Sequence, residues 1–200
     1  MKVADGPLHG VLVFEPAPIR DERGFFTRTF DADVATNAGL DVSRFVQDSQ
    51  SRSQRGVVRG LHFRTDGGEG KLVRCSYGQI YDVAVDLRPW SPTFRHTQAF
   101  RLDDEDHVSV YLPRGLAHGF QALTDIADVC YRIDARYRPG VDGVISWDDP
   151  ELAIAWPAPM TGMSDRDAAA SRLSDVSDRL DEWFGTPAAS VSMSTQGPAR

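Results

Sequence analysis

What most constrains this chain is the brevity of its apolar runs. GVLVF (10–14), GFFTRTF (24–30), RFVQ (44–47), VVRGLHF (57–63), KLVRC (71–75), QIYDVAVDL (79–87), VSVYL (108–112), HGFQAL (118–123) and ADVCYRI (127–133) follow one another with Gly, Pro, Asp and Ser between them. A helix that buries one face needs a longer amphipathic stretch. Short runs bounded by turn residues are instead the pattern of an antiparallel sandwich or barrel. Within QIYDVAVDL, Ile80, Asp82 and Ala84 alternate with Tyr81, Val83 and Val85, so the two faces of that strand are filled differently. The predicted class is all-β, a β-barrel with a lined interior. Helical periodicity is confined to residues 31–38 and to a C-terminal segment where Leu173, Val176, Leu180, Trp183 and Phe184 recur, a stripe expected to pack against the barrel.

At 200 residues, 41% hydrophobic and 26% charged, the chain can bury the core of one domain, expected over residues 1–185. Residues 186–200 are small and polar without periodicity, and are expected to form a disordered tail. The net charge of -7 argues against a general nucleic-acid or anionic-membrane binder, so any phosphate site must be a local basic cluster. No run approaches the length of a membrane span, and MKVADGPLHG lacks the apolar core of a signal peptide, which gives the cytoplasm as the expected location. Cys75 and Cys130 lie in separate apolar runs and read as reduced core cysteines.

Chemistry enters with polar residues placed inside apolar text. His62 and His118 sit in RGLHF and LAHGF, Arg59, Lys71 and Arg74 lie on the runs around His62, and Tyr131 lies on a later one. Cations and histidines on half-buried strands point to an anionic ligand inside the barrel. Two histidines and a carboxylate could also ligate a metal, with His62, Glu69 and His118 as the candidate set. The text around His62 nevertheless lacks the His-x-His pair usual in metal-binding jelly rolls.

The segments DERGFF (21–26), QDSQSRSQRGVVRGLHF (47–63), GKLVRC (70–75), DVAVDLR (82–88), SPTF (91–94), LPRGLAHGF (112–120), WDDPELAIAWP (147–157) and SDRDA (164–168) resemble, in order and approximate spacing, the dTDP-4-dehydrorhamnose 3,5-epimerase family. The resemblance implies a cupin-type jelly-roll β-barrel with a short helical region near the C-terminus. It further implies a dTDP-linked 4-keto-6-deoxyhexose as substrate, inversion of the carbons flanking the ketone, no cofactor and no metal. Such chemistry needs a base beside a weakly acidic C–H, a cation at the developing enolate oxygen and an acid on the opposite face of the ring. By the resemblance these are His62 oriented by Asp167, Lys71 near the C4 oxygen, and Tyr131. Arg59 and Arg23 are implied at the diphosphate, Phe26, Gln47, Ser49 and Tyr137 around the thymidine, and His118 near the sugar. A homodimer with exchanged N-terminal strands is implied as well, with Arg23 reaching the neighbouring site.

The sequence departs from the family pattern at Arg28, Ser49, Glu69, Asp142 and Arg166, where the usual residues are glutamate, asparagine, glutamine, glutamate and lysine. The four catalytic candidates are unaffected. A mono-epimerase acting at C3 or C5 alone is therefore a competing expectation, since such relatives share the same four residues.

Overall fold

The computed structural model describes residues 1–185, so the tail expected over 186–200 lies outside the described residues. In chain order the strands and helices are β1 (Lys2–Asp5), β2 (Leu12–Glu15), β3 (Ile19–Asp21), β4 (Gly24–Phe26), α1 (Ala32–Asn37), β5 (Gln47–Gln54), β6 (Val58–Arg64), β7 (Lys71–Tyr77), β8 (Gln79–Asp86), β9 (Thr97–Asp103), β10 (Ser109–Leu112), β11 (Leu116–Ala122), β12 (Ile126–Ile133), β13 (Asp142–Val144), α2 (Asp165–Ala168), α3 (Leu173–Val176) and α4 (Leu180–Phe184). Two antiparallel sheets, ordered β1-β2-β10-β7-β12-β5 and β13-β6-β11-β8-β9, stand apart from the small β3-β4 hairpin. The predicted jelly roll is present. It is built as two facing sheets rather than as one ring of hydrogen-bonded strands, so its interior opens along the sheet edges.

The layers follow from what each strand face buries. Val73 and Cys75 of β7, Val110 and Leu112 of β10 and Ala127 and Val129 of β12 meet Ile80, Ala84, Leu116 and Phe120 from the opposing sheet, which makes the central core. On β8 the alternate residues Val83 and Val85 face the other way. There, with Leu61, Phe63 and Ile145, they bury Leu173, Leu180, Trp183 and Phe184. Both faces of β8 are therefore covered, as in a strand with packing on each side, and the acid Asp82 interrupts the apolar face of Ile80 and Ala84. The aromatic stripe packs as expected, with Trp183 5.5 Å from Phe63 ring to ring. It is divided into α3, a 3-10 turn over Ser177–Arg179 and α4 rather than one helix, and Ser177 Oγ donates to the Leu173 carbonyl at 2.8 Å near the break. A third, smaller core joins Phe14 and Leu72 to Ala35 of α1.

Apolar runs misplace several elements. GFFTRTF forms a strand only over its first three residues, all exposed, and RFVQ is mostly a 3-10 turn and loop. By contrast β5, QDSQSRSQ, pairs along its whole length with β12. It is a sheet edge, where one side faces solvent and polar residues carry no penalty. The edge strands β1, β9 and β13 likewise fall outside the apolar runs. Among the described residues no helix is long and apolar enough to cross a membrane, and both cysteines are free thiols.

Candidate active site

One end of the space between the sheets is left unfilled by the central core and forms a cavity of about 300 Å3. Its walls are polar: Ser51, Arg59, His62, Glu69, Lys71, His118, Tyr131, Asp142 and Arg166 line it together with Gly119, Phe120 and Ile133. His62 and His118 come from β6 and β11, in which they are directly paired. The two backbones approach closely at Gly60 and Gly119. A Cβ on Gly60, whose φ is +117, would lie 2.5 Å from Gly119 Cα, so a side chain there would force the histidine-bearing strands apart.

His62 is held by Asp167. Ser164 caps α2 and accepts from the Asp167 amide at 3.1 Å, which sets the Asp167 carboxylate, 3% exposed, against β6. One carboxylate oxygen lies 2.7 Å from His62 Nε2 and the other accepts from the Gly60 amide at 3.3 Å. An ionised carboxylate only accepts, so Nε2 carries the ring proton and the lone pair lies on Nδ1. Burial pushes the His62 pKa down, and the Lys71 and Arg166 charges push the same way, while the Asp167 hydrogen bond and charge pull it partly back. The outcome is a value below that of an ordinary histidine, hence a neutral ring at neutral pH.

A second pair stands beside the first. His118 Nε2 is 2.7 Å from Asp82 Oδ1, with both residues buried, and the His118 ring meets Tyr131 edge-on with centroids 6.1 Å apart. Tyr131 faces into the cavity from β12 of the opposite sheet. Burial pushes its phenol pKa up, with only partial relief from the Ser51 hydroxyl, so the O–H stays protonated through the neutral range. Lys71 is 6% exposed, and its ammonium lies 3.4 Å from the Glu69 carboxylate. It is thus buried rather than a solvated residue at a strand start. Arg59 is tied back by Nε to Ser53 Oγ at 2.9 Å and by Nη2 to the Arg52 carbonyl at 3.0 Å.

The structure thus gathers His62, Asp167, Lys71, Tyr131, Arg59 and His118 around one space. Gln47 and Ser49 do not line it. The register pairs Ser49 with Tyr131 and Gln47 with Ile133, so they share the inward face of those residues, and Gln47 Nε2 donates to Ser49 Oγ at 3.2 Å. Arg23, Phe26 and Tyr137 do not line the cavity. Arg23 pairs with Asp21 at 2.5 Å on the β3-β4 hairpin, and Phe26 and Tyr137 are each 72% exposed.

Sequence reasoning missed Asp82, Ser51 and Ser53, and named the rim pair Asp142 and Arg166, which approach to 3.9 Å, only as departures from the family pattern. Asp82 did leave a signal, as an acid alternating with Ile80 and Ala84 inside an apolar run. The trio required for a metal is divided among other partners, His62 with Asp167, His118 with Asp82, and Glu69 beside Lys71 and Arg64. Among the described residues no group of three His, Cys, Asp or Glu side chains could hold a metal ion.

A second concavity, of about 380 Å3, is lined by Asp48, Ser49, Gln50, Arg74, Cys130 and Arg132 and shares Tyr131 with the first. Its Arg132 is engaged by Asp48 through two bonds of 2.9 Å, and it holds no histidine.

A neutral, carboxylate-oriented imidazole, a buried ammonium and a protonated phenol facing one jelly-roll cavity define a class: proteins equipped to move protons on an enclosed, oxygen-rich ligand. The profile of one family, dTDP-4-dehydrorhamnose 3,5-epimerase, matches residues 5–175. The chain belongs to that family. It is 47% identical over 153 residues to the dTDP-4-dehydrorhamnose 3,5-epimerase of Methanothermobacter thermautotrophicus, covering 76% of this chain and 82% of that one. It is 39% identical over 172 residues to the dTDP-4-dehydrorhamnose 3-epimerase of Streptomyces niveus, covering 86% of this chain and 83% of that one. Among solved structures, a dTDP-6-deoxy-D-glucose-3,5-epimerase from Legionella pneumophila in complex with dTDP-4-keto-L-rhamnose superposes with a TM-score of 0.84 at 39% identity, covering 90% of this chain and 96% of that one.

Proposed function

We propose that this chain is an epimerase that inverts C3 and C5 of a dTDP-linked 4-keto-6-deoxyhexose. The observation that carries the reading is the placement of His62 and Tyr131 on opposing sheets of one cavity. A sugar ring lying between them has a base on one face and an acid on the other, and inversion requires that arrangement, because a proton returned from its own side restores the substrate.

In this reading His62 Nδ1 takes the proton from a carbon next to the ketone, and Asp167 steadies the imidazolium that forms. The C–H electrons move into the enolate, whose C4 oxyanion lies near Lys71, a contact worth several kcal/mol, roughly, in a water-poor site. Tyr131 then protonates the carbon from the other face. Arg59 holds the diphosphate through its two-point fork, Gln47 and Ser49 approach the base, and His118 contacts the sugar. These side chains suffice without a metal or cofactor, residues 1–185 act as a single domain, and the cytoplasm is the place of work. Product analysis by NMR after incubation with dTDP-4-keto-6-deoxyglucose tests the reading: inversion at both carbons supports it. Inversion at C3 or C5 alone would instead favour the mono-epimerase reading, which the resemblance to the S. niveus 3-epimerase motivates.

The exposed hairpin supports a homodimer with exchanged N-terminal strands. Ile19, Phe25 and Phe26 are 68%, 52% and 72% exposed, a dense apolar presentation on six strand residues, and a neighbouring cavity would receive Arg23 and Phe26 from it. Sedimentation equilibrium at assay concentration is expected to give a dimer; a fully active monomer would refute the exchange.

The lowered His62 pKa sets a pH dependence. Protonation at Nδ1 removes the base, so kcat/KM should fall on the acid side, with an apparent pKa below the roughly 6.5 of an ordinary histidine. An acid limb centred above 7 would contradict the assignment of His62.

A further inference from the structure

The β3-β4 hairpin has three residues in each strand and all six are exposed. A two-stranded ribbon so short does not hold its shape unsupported. Its support is the turn between β9 and β10. Phe25 lies over the His107 ring, with centroids 4.2 Å apart and planes tilted by 35°. The Arg20 guanidinium stands 5.8 Å from the centre of the same Phe25 ring, and Arg20 also donates to the Glu105 carbonyl. The turn is itself fixed: Asp103 accepts from the Glu105 and Asp106 amides at 3.1 and 3.0 Å, and Asp104 accepts from the Gly78 amide at 2.9 Å.

His107 is unusual within that turn. Its φ is +56, in the left-handed region, which is uncommon outside glycine and which histidine shares with Asn and Asp. The residue is 4% exposed, and its Nε2 is buried without a hydrogen-bond partner among the described residues. A buried imidazole kept for its polar atoms would have both nitrogens engaged. The turn uses the face of the ring instead.

We propose that His107 is a positioning residue whose ring seats Phe25, and thereby sets the hairpin that carries Arg23 and Phe26 to the nucleotide of the substrate. The proposal rests on the reading that these two residues bind substrate. It deepens that reading by naming what aims them, for neither Arg23 nor Phe26 has a buried anchor of its own. The seat acts on binding rather than on proton transfer, because His62, Lys71 and Tyr131 stand on other strands and line a cavity that His107 does not touch.

Two variants separate the ring face from its nitrogens. His107→Asn tolerates the left-handed backbone and removes the ring; His107→Phe keeps an aromatic face and removes the nitrogens. Steady-state kinetics with dTDP-4-keto-6-deoxyglucose and calorimetric titration with dTDP should show His107→Asn with KM and dTDP Kd raised about tenfold and kcat within about twofold of wild type. His107→Phe should return both constants to within about twofold. An unchanged KM in His107→Asn, or a His107→Phe variant as impaired as His107→Asn, would overturn the proposal. Should His107→Asn fail to fold, Phe25→Leu probes the same contact from the hairpin side and should raise KM alike; an unchanged KM there overturns the proposal equally. Wild-type protein with neither turnover nor dTDP binding would instead defeat the epimerase reading, whereas a wild type that turns over with a KM indifferent to position 107 defeats the seat alone.

Discussion

His62→Ala is expected to lower kcat by about a thousandfold, with the affinity for dTDP within about threefold of wild type. The asymmetry follows from where the side chain stands. Its Nε2 is committed to Asp167 at 2.7 Å, which leaves Nδ1 as the nitrogen to take a proton, and a neutral nitrogen lone pair gains more from the transition state, where it takes up a proton, than from the ground state. Truncation also leaves the Asp167 carboxylate, 3% exposed, with the Gly60 amide as its remaining hydrogen-bond partner from β6. Some loss of melting temperature should therefore accompany the kinetic defect. A fall in kcat of less than tenfold would remove His62 from the role of base.

Tyr131→Phe is expected to separate two events that the wild type couples. Removing the phenol leaves His62, Asp167 and Lys71 in place, so the variant should still form the enolate and exchange substrate protons with solvent at a reduced rate. Net inversion should fall by roughly a hundredfold or more, since the proton donor on the opposite face is gone. The raised pKa of the buried phenol suits this role, because a hydroxyl that ionised near neutrality would face the enolate as an anion. The edge-on contact with His118 involves the ring, which Phe retains, so the fold should be spared. Exchange and inversion lost in equal measure would show that Tyr131 serves the first proton transfer as well.

How much of this could be read from the sequence depends on the residue. His62, Lys71, His118 and Tyr131 were legible because a polar residue inside a short apolar run must either face inward or waste a buried position, and all four face the cavity. The departures at Glu69, Asp142 and Arg166 were legible as departures, but nothing in their spacing revealed that all three line the same cavity. That convergence comes from the packing of the strand that starts at Lys71, the short edge strand at Asp142 and helix α2. The strand QDSQSRSQ was invisible to a search for apolar runs because it lies at a sheet edge, although its register sets Ser49 and Ser51 beside Tyr131 and Val129.

Arg23, Phe26 and Tyr137 were named by resemblance alone, and local physics could not have found them. They are exposed residues that stand apart from the cavity holding His62 and Tyr131. The text around His107, DEDHV (104–108), carries no apolar run that would single it out. Only three-dimensional structure brings Phe25, distant in sequence, against its ring.

A cavity that enolises a sugar on both sides of its ketone must let both flanking carbons exchange their protons with solvent. Wild-type protein is incubated with dTDP-4-keto-6-deoxyglucose in D2O, and the C3 and C5 proton signals are followed by NMR. Both signals should disappear as deuterium enters, with the products inverted at those carbons and with no exchange in His62→Ala on the same timescale. Retention of both protons by the wild type, under conditions where dTDP binds, would contradict the epimerase reading.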